Sequence, residues 1–138
     1  MNRADFQSLT EIHLQEANAL LDAGHFGGAF YLAGYAVECA LKACICKHVN
    51  QYEFPISRTF SNECYSHDFG TLLRVADLTL TLNAALKANP RLRSNWEIAE
   101  DWDEQSRYNR RLEEDARSLY AAITDPSDGV LEWIKAYW

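Results

Sequence analysis

GGAFYLAGYAVECALKACICKHV, residues 27–49, is the stretch that decides the fold. It is apolar almost all round, and its first charge is Glu38. A helix with apolar residues on every side belongs in the middle of its domain. Ala29, Ala33, Gly34, Ala36, Ala40 and Ala43 are small, so neighbouring helices can approach closely. Glu38 and Lys42 lie four residues apart with the acid first, the favourable order for an intrahelical ion pair. One reading of this pair is a salt bridge at the edge of the core. The other is a cleft border that presents a cation to an anionic ligand.

Upstream, residues from Asp5 to Ala23 place Phe6, Leu9, Ile12, Leu14, Ala17, Leu20 and Leu21 on one broad face. That spacing predicts an amphipathic helix, which Gly24 stops. A short Gly-containing link to the next helix predicts an antiparallel hairpin. His13 falls on the apolar face and reads as a core or interface histidine.

Downstream, Pro55, Ser57, Ser61 and Asn62 mark a loop from Gln51 to Ser66, with an extended stretch near Tyr52 to Ile56. A loop this long in a small helical domain is a candidate partner-contacting element. A third helix is predicted from Asp68 to Ala88, with a break near Leu78 and a stop at Asn89-Pro90. Arg91 to Ser106 reads mostly as loop. A fourth helix covers Arg107 to Ile123. A short last one carries Val130, Leu131, Trp133, Ile134 and Tyr137. The expectation is an all-α fold, an up-and-down bundle of about five helices in one domain spanning residues 1–138.

Size and composition agree with one domain. The chain has 138 residues, 48% of them apolar, which excludes general disorder. Thirteen Lys and Arg against 20 Asp and Glu leave a net charge of −7. Such a chain is not expected to coat DNA non-specifically, since that binding rests on phosphate neutralisation. The start lacks a basic stretch followed by an apolar core. The uncharged run from Phe26 to Val37 is shorter than the roughly 20 residues that span a bilayer. Cys39, Cys44 and Cys46 crowd one helix, where disulfide geometry is poor. The expectation is a reduced, cytoplasmic protein with no membrane segment. The cysteine spacing, with Cys64 beyond, matches no zinc site, and no P-loop, GxGxxG or GxSxG is present, so neither a metal nor a cofactor is expected.

Two further groups of residues invite chemistry. Arg107, Arg110 and Arg111 form a basic cluster among acids: Glu97, Glu100, Asp101, Asp103 and Glu104 before it, Glu113, Glu114 and Asp115 after it. Either the helix is laced with ion pairs, or Arg107 opens it, where backbone N–H groups favour an anion, and adds a planar fork for phosphate. His67-Asp68 precedes a predicted helix. Asp68 or Ser66 caps it on one reading, and His67 and Asp68 are acid and base on the other.

The run HFGGAFYLAGYAVECALKACI, from His25 to Ile45, resembles the second helix of bacterial HEPN-domain proteins, which ends in Glu-x-x-Leu-Lys, here Glu38 to Lys42. His67-Asp68 with its leucine pair, the region from Trp102 to Arg107-Tyr108, and the closing GVLEWI from Gly129 to Ile134 extend the likeness over most of the chain. The resemblance implies a helical bundle and a homodimer. It also implies a nucleotide- or RNA-binding role, a place in a toxin–antitoxin pair, or partnership with a small nucleotidyltransferase. Active members are metal-independent ribonucleases carrying an Arg, a polar residue and a His four to six residues on. There the histidine moves a proton and the arginine stabilises charge on the phosphate. Here Arg107 is the best match, with Tyr108, Arg110 and Arg111 beside it as ligand-binding candidates together with Lys42 and Glu38. Tyr108 stands where the polar residue belongs, and no histidine follows His67. Two substitutes for the proton carrier are Glu113 acting as base and His67 approaching Arg107 from the third helix. The leading expectation is a binding module, and the alternative is a divergent ribonuclease.

Overall fold

The computed structural model describes residues 1–49 and 57–138, and all regular structure among them is helical. Eight α-helices and one 3-10 helix follow in order: α1 Arg3–Asp22, α2 Phe26–Val49, α3 Arg58–Glu63, α4 Phe69–Val75, α5 Thr79–Ala88, α6 Pro90–Glu100, the 3-10 helix Glu104–Tyr108, α7 Glu113–Thr124 and α8 Val130–Lys135. The all-α class holds. The helices outnumber the expected five because two segments read as loop contain helices and the third helix is two. The predicted extended stretch at residues 52–56 lies outside the described residues.

α1 starts on a capping box. The Asn2 side chain accepts from the Asp5 N–H at 3.0 Å, and the Asp5 carboxylate accepts from the Asn2 N–H at 2.8 Å. It stops at Gly24, whose φ of 78° suits a residue without a Cβ. α2 then runs back along α1 and also touches α4, the 3-10 helix, α7 and α8, so it is the central helix as its composition predicts. The buried Thr10 hydroxyl bonds the Phe6 carbonyl at 2.9 Å and lies 3.4 Å from that of Ala36, joining the hairpin. By length and composition α2 could cross a bilayer, which the count of its uncharged run alone had missed. Its apolar surface is nevertheless spent internally, with 72% of its most apolar window buried.

Two sequence expectations need correction, and a third, the break near Leu78, holds. The segment from Gln51 to Ser66 contains α3, capped by Ser57, whose hydroxyl accepts from the Phe60 N–H at 3.1 Å. Arg91 to Ser106 is mostly helix, not loop. Asn89 stops α5 and also caps α6, accepting from the Arg91 and Leu92 N–H groups at 3.1 and 3.2 Å, with Pro90 at the first turn. Leu92, Trp96 and Ala99 then face the core. The third predicted helix divides at Asp77, which takes a left-handed φ of 59° between α4 and α5.

Gly34 sits under Trp102. A Cβ built there would lie 2.2 Å from the indole ring. Gly34→Ala is therefore expected to destabilise by about 1–3 kcal/mol through overpacking, although Ala is the better helix former. Gly27→Ala, where the nearest atom is the Asn109 carbonyl oxygen at 3.5 Å, is expected to stabilise by about 0.5 kcal/mol. Urea midpoints of the two variants check both signs.

Candidate functional site

Glu38 is the only acidic residue among the described ones that is fully buried, with its side chain 1% exposed. Its carboxylate is well partnered. Lys42, one turn on, contacts Oε1 at 2.8 Å. His67 Nδ1 lies 3.0 Å from both carboxylate oxygens. On the far side of the ring, His67 Nε2 meets Glu104 Oε2 at 3.1 Å. A chain of charged groups thus runs from the core outward through a histidine that is 44% exposed.

Carboxylates accept hydrogen bonds, so Nδ1 is the donor to Glu38. A buried carboxylate is costly unless it is paired and hydrogen-bonded, and these partners supply both. The neighbouring backbone fixes the ring. Asp68 caps α4 by accepting from the Thr71 N–H at 2.7 Å, and the Ser66 hydroxyl accepts from the Asp68 N–H at 3.0 Å. The capping reading of Asp68 is right. His67 bonds the side chain of Glu38.

Glu104 belongs to the 3-10 helix, which Asp103 caps by accepting from the Gln105 N–H at 2.8 Å. Trp102, just before it, stacks on Phe69 with centroids 5.2 Å apart and rings 9° from parallel. Arg111, just after it, lies over Phe30 at 4.2 Å. The segment between is held at both ends. In a 3-10 helix side chains at i and i+3 eclipse, so Arg107 lies on the same side as Glu104. Its guanidinium rests 4.8 Å from the Tyr108 ring, and Tyr108 is 70% exposed. Arg110 is exposed as well, and Leu112 is 66% exposed.

These positions revise two expectations. Arg107 does not open a helix: it lies near the end of the 3-10 helix, and α7 begins only at Glu113. The α7 N-terminus already carries Glu113, Glu114 and Asp115 in its first turn. The basic cluster is not laced with ion pairs either. Among the described residues neither Arg107 nor Arg110 has a carboxylate partner, and Glu113 pairs with Arg117 at 2.8 Å. The structure thus brings Glu38, Lys42 and His67 together and adds Glu104. Glu113 stands apart from them, on a surface pair. In the sequence Glu104 is one of several scattered acids, and the signal that sets it apart is Asp103 with Ser106 three residues on, which marks the start of a turn.

No group of three or more His, Cys, Asp or Glu among the described residues is arranged to hold a metal ion. The cysteines are free thiols. Burial pushes Cys39 and Cys44 up to about 12, and raises Cys46 and Cys64 as well. His13 is half-buried, 2.8 Å from Glu16 and tilted against Tyr35.

Comparison with protein-family models, with curated proteins and with solved structures finds no match to this chain. Two outcomes are expected of the geometry itself. Lys42→Met strips a buried carboxylate of one partner and should cost about 3 kcal/mol in urea unfolding. The double variant Glu38→Gln/Lys42→Met should recover most of that loss. The thiolate is the nucleophile, so a raised value means a smaller reactive fraction at any given pH. Maleimide labelling of Cys46 and Cys64 should therefore climb as pH rises through the mildly alkaline range. Cys39 and Cys44 should stay unlabelled there until the protein is denatured, with peptide mass spectrometry as the readout.

Proposed function

We propose that this chain is a HEPN-like helical binding module that takes a phosphate-bearing ligand, a nucleotide or RNA, on Arg107, Tyr108 and Arg110. The observation that carries this reading is that, among the described residues, neither Arg107 nor Arg110 has a carboxylate partner, although their neighbourhood is strongly acidic. Eight nearby carboxylates leave both guanidiniums available. Arg matches phosphate through a planar fork of donors. Tyr108 adds an exposed ring on which a base can stack. Lys42 and Glu38 serve this face indirectly, because they hold His67, and His67 holds Glu104 of the same 3-10 helix. The likeness to HEPN proteins supports the rest of the proposal: a homodimer, a cytoplasmic setting, and a toxin–antitoxin-like or nucleotidyltransferase-associated two-component system.

A second reading, a divergent metal-independent ribonuclease, is favoured by one specific contact. His67 Nε2 reaches Glu104, three residues before Arg107. In that reading Arg107 stabilises charge on the phosphate, and a protonated His67 gives a proton to the leaving oxygen once Glu104 yields. Glu113 would have to release Arg117 to act as base.

Fluorescence anisotropy with a labelled single-stranded RNA and with a labelled nucleotide tests the first reading. Arg107→Ala/Arg110→Ala is expected to weaken binding by at least about tenfold, as the loss of two charge-assisted contacts requires. Unchanged affinity in that variant, or no binding by the parent, overturns it. RNA cleavage in EDTA that disappears in Arg107→Ala transfers the assignment to the ribonuclease.

A further inference from the structure

We propose a separate binding site for an amphiphilic carboxylate, in the cavity enclosed by the first turn of α1, the C-terminal end of α2, and α3. The cavity measures about 650 Å³, within the about 300–1,000 Å³ range that takes a small organic ligand. Phe6, Ile45, Val49 and Phe60 give it an apolar wall. Arg3 and Lys42 are its cationic side chains, and none of the residues lining it is Asp or Glu. In a chain with 20 acids and 13 bases that local composition is selective, and it complements an anion with an apolar body.

The polar groups define the anion further. One guanidinium nitrogen of Arg3 donates to the Trp138 carbonyl, while Arg3 Nε is buried with no acceptor. Its remaining guanidinium N–H groups form a planar fork suited to a carboxylate. Lys42 contacts Glu38 Oε1, and an ammonium carries three donors, so it retains hydrogens for a ligand. The charge of Lys42 is balanced by Glu38. That leaves Arg3 and the Met1 end of the chain as the positive groups on the cavity, and the head group of an anionic amphiphile meets them. No residue of the Arg107–Arg111 segment lines the cavity, and Lys42 is the residue it shares with the network behind that face.

The cavity carries its own reporters, because Cys46 and Cys64 line it whereas Cys39 and Cys44 lie in the core. Decanoate below its critical micelle concentration is the probe. Decyltrimethylammonium and decanol are controls of equal chain length. Calorimetry with the full chain should show saturable decanoate binding. Decanoate should slow maleimide labelling of Cys46 and Cys64, and neither control should match it. Arg3→Gln should weaken decanoate binding by about tenfold, the loss of one charge-assisted hydrogen bond. Ser61→Trp, placed on the exposed side of α3 to fill the cavity without altering a charge, should abolish the protection. Absence of saturable decanoate binding, equal protection by the ammonium amphiphile, or undiminished binding in folded Arg3→Gln and Ser61→Trp overturns the proposal.

Discussion

The carboxylate of Glu38 is the constraint on which the arrangement of the other parts rests. A carboxylate with no exposure costs several kcal/mol unless it is paired and hydrogen-bonded. Its partners come from two places. Lys42 belongs to the same helix, and His67 is delivered by the turn that opens α4. Glu104 then closes the other side of the imidazole. Hydrophobic burial is non-directional. The paired charge is directional, and it ties the start of α4 to α2.

The close approach of the 3-10 helix needs more than the charge pair. Trp102 lies directly on Gly34, where any side chain would displace the indole. The Asn109 backbone passes near Gly27, and Arg111 covers Phe30. These contacts all sit on α2, and between them the chain turns outward. Arg107, Tyr108 and Arg110 are therefore displayed on a short segment anchored at both ends. Ordering that segment has already been accomplished by folding, so a ligand need not supply the entropy for it.

The parts of the fold legible in the sequence were those governed by local periodicity and caps. α1 and α2 follow from their apolar patterns, the Glu38–Lys42 pair from its four-residue spacing, and the α4 cap from Asp68. What escaped has physical reasons. Asn89-Pro90 was read as a stop alone, although Asn is also a helix cap and Pro suits a first turn. α3 has six residues, too few for a period to show. Arg107 was drawn into the following helix by acids and leucines that continue past it, while the backbone from Asn109 to Leu112 is extended at both its ends. Glu104 was hidden because its role depends on a contact with a residue 37 positions earlier. No spacing rule reaches that far.

The placement of His67 also narrows the chemistry it can perform. Only Nε2 faces outward toward Glu104, since Nδ1 faces the buried Glu38. Glu104 is itself 40% exposed, and an ion pair in such a setting is worth about 0–1 kcal/mol. A phosphate oxygen can therefore replace Glu104 at little cost, whether the ligand is merely held or also cleaved. The first step of the two readings is the same. What separates them is the base. Glu113 lies at the start of α7, bonded to Arg117, whereas the His67 group is tied to α2 and the 3-10 helix. A binding module needs no base and can use the arginines as they stand, which is why we propose it first.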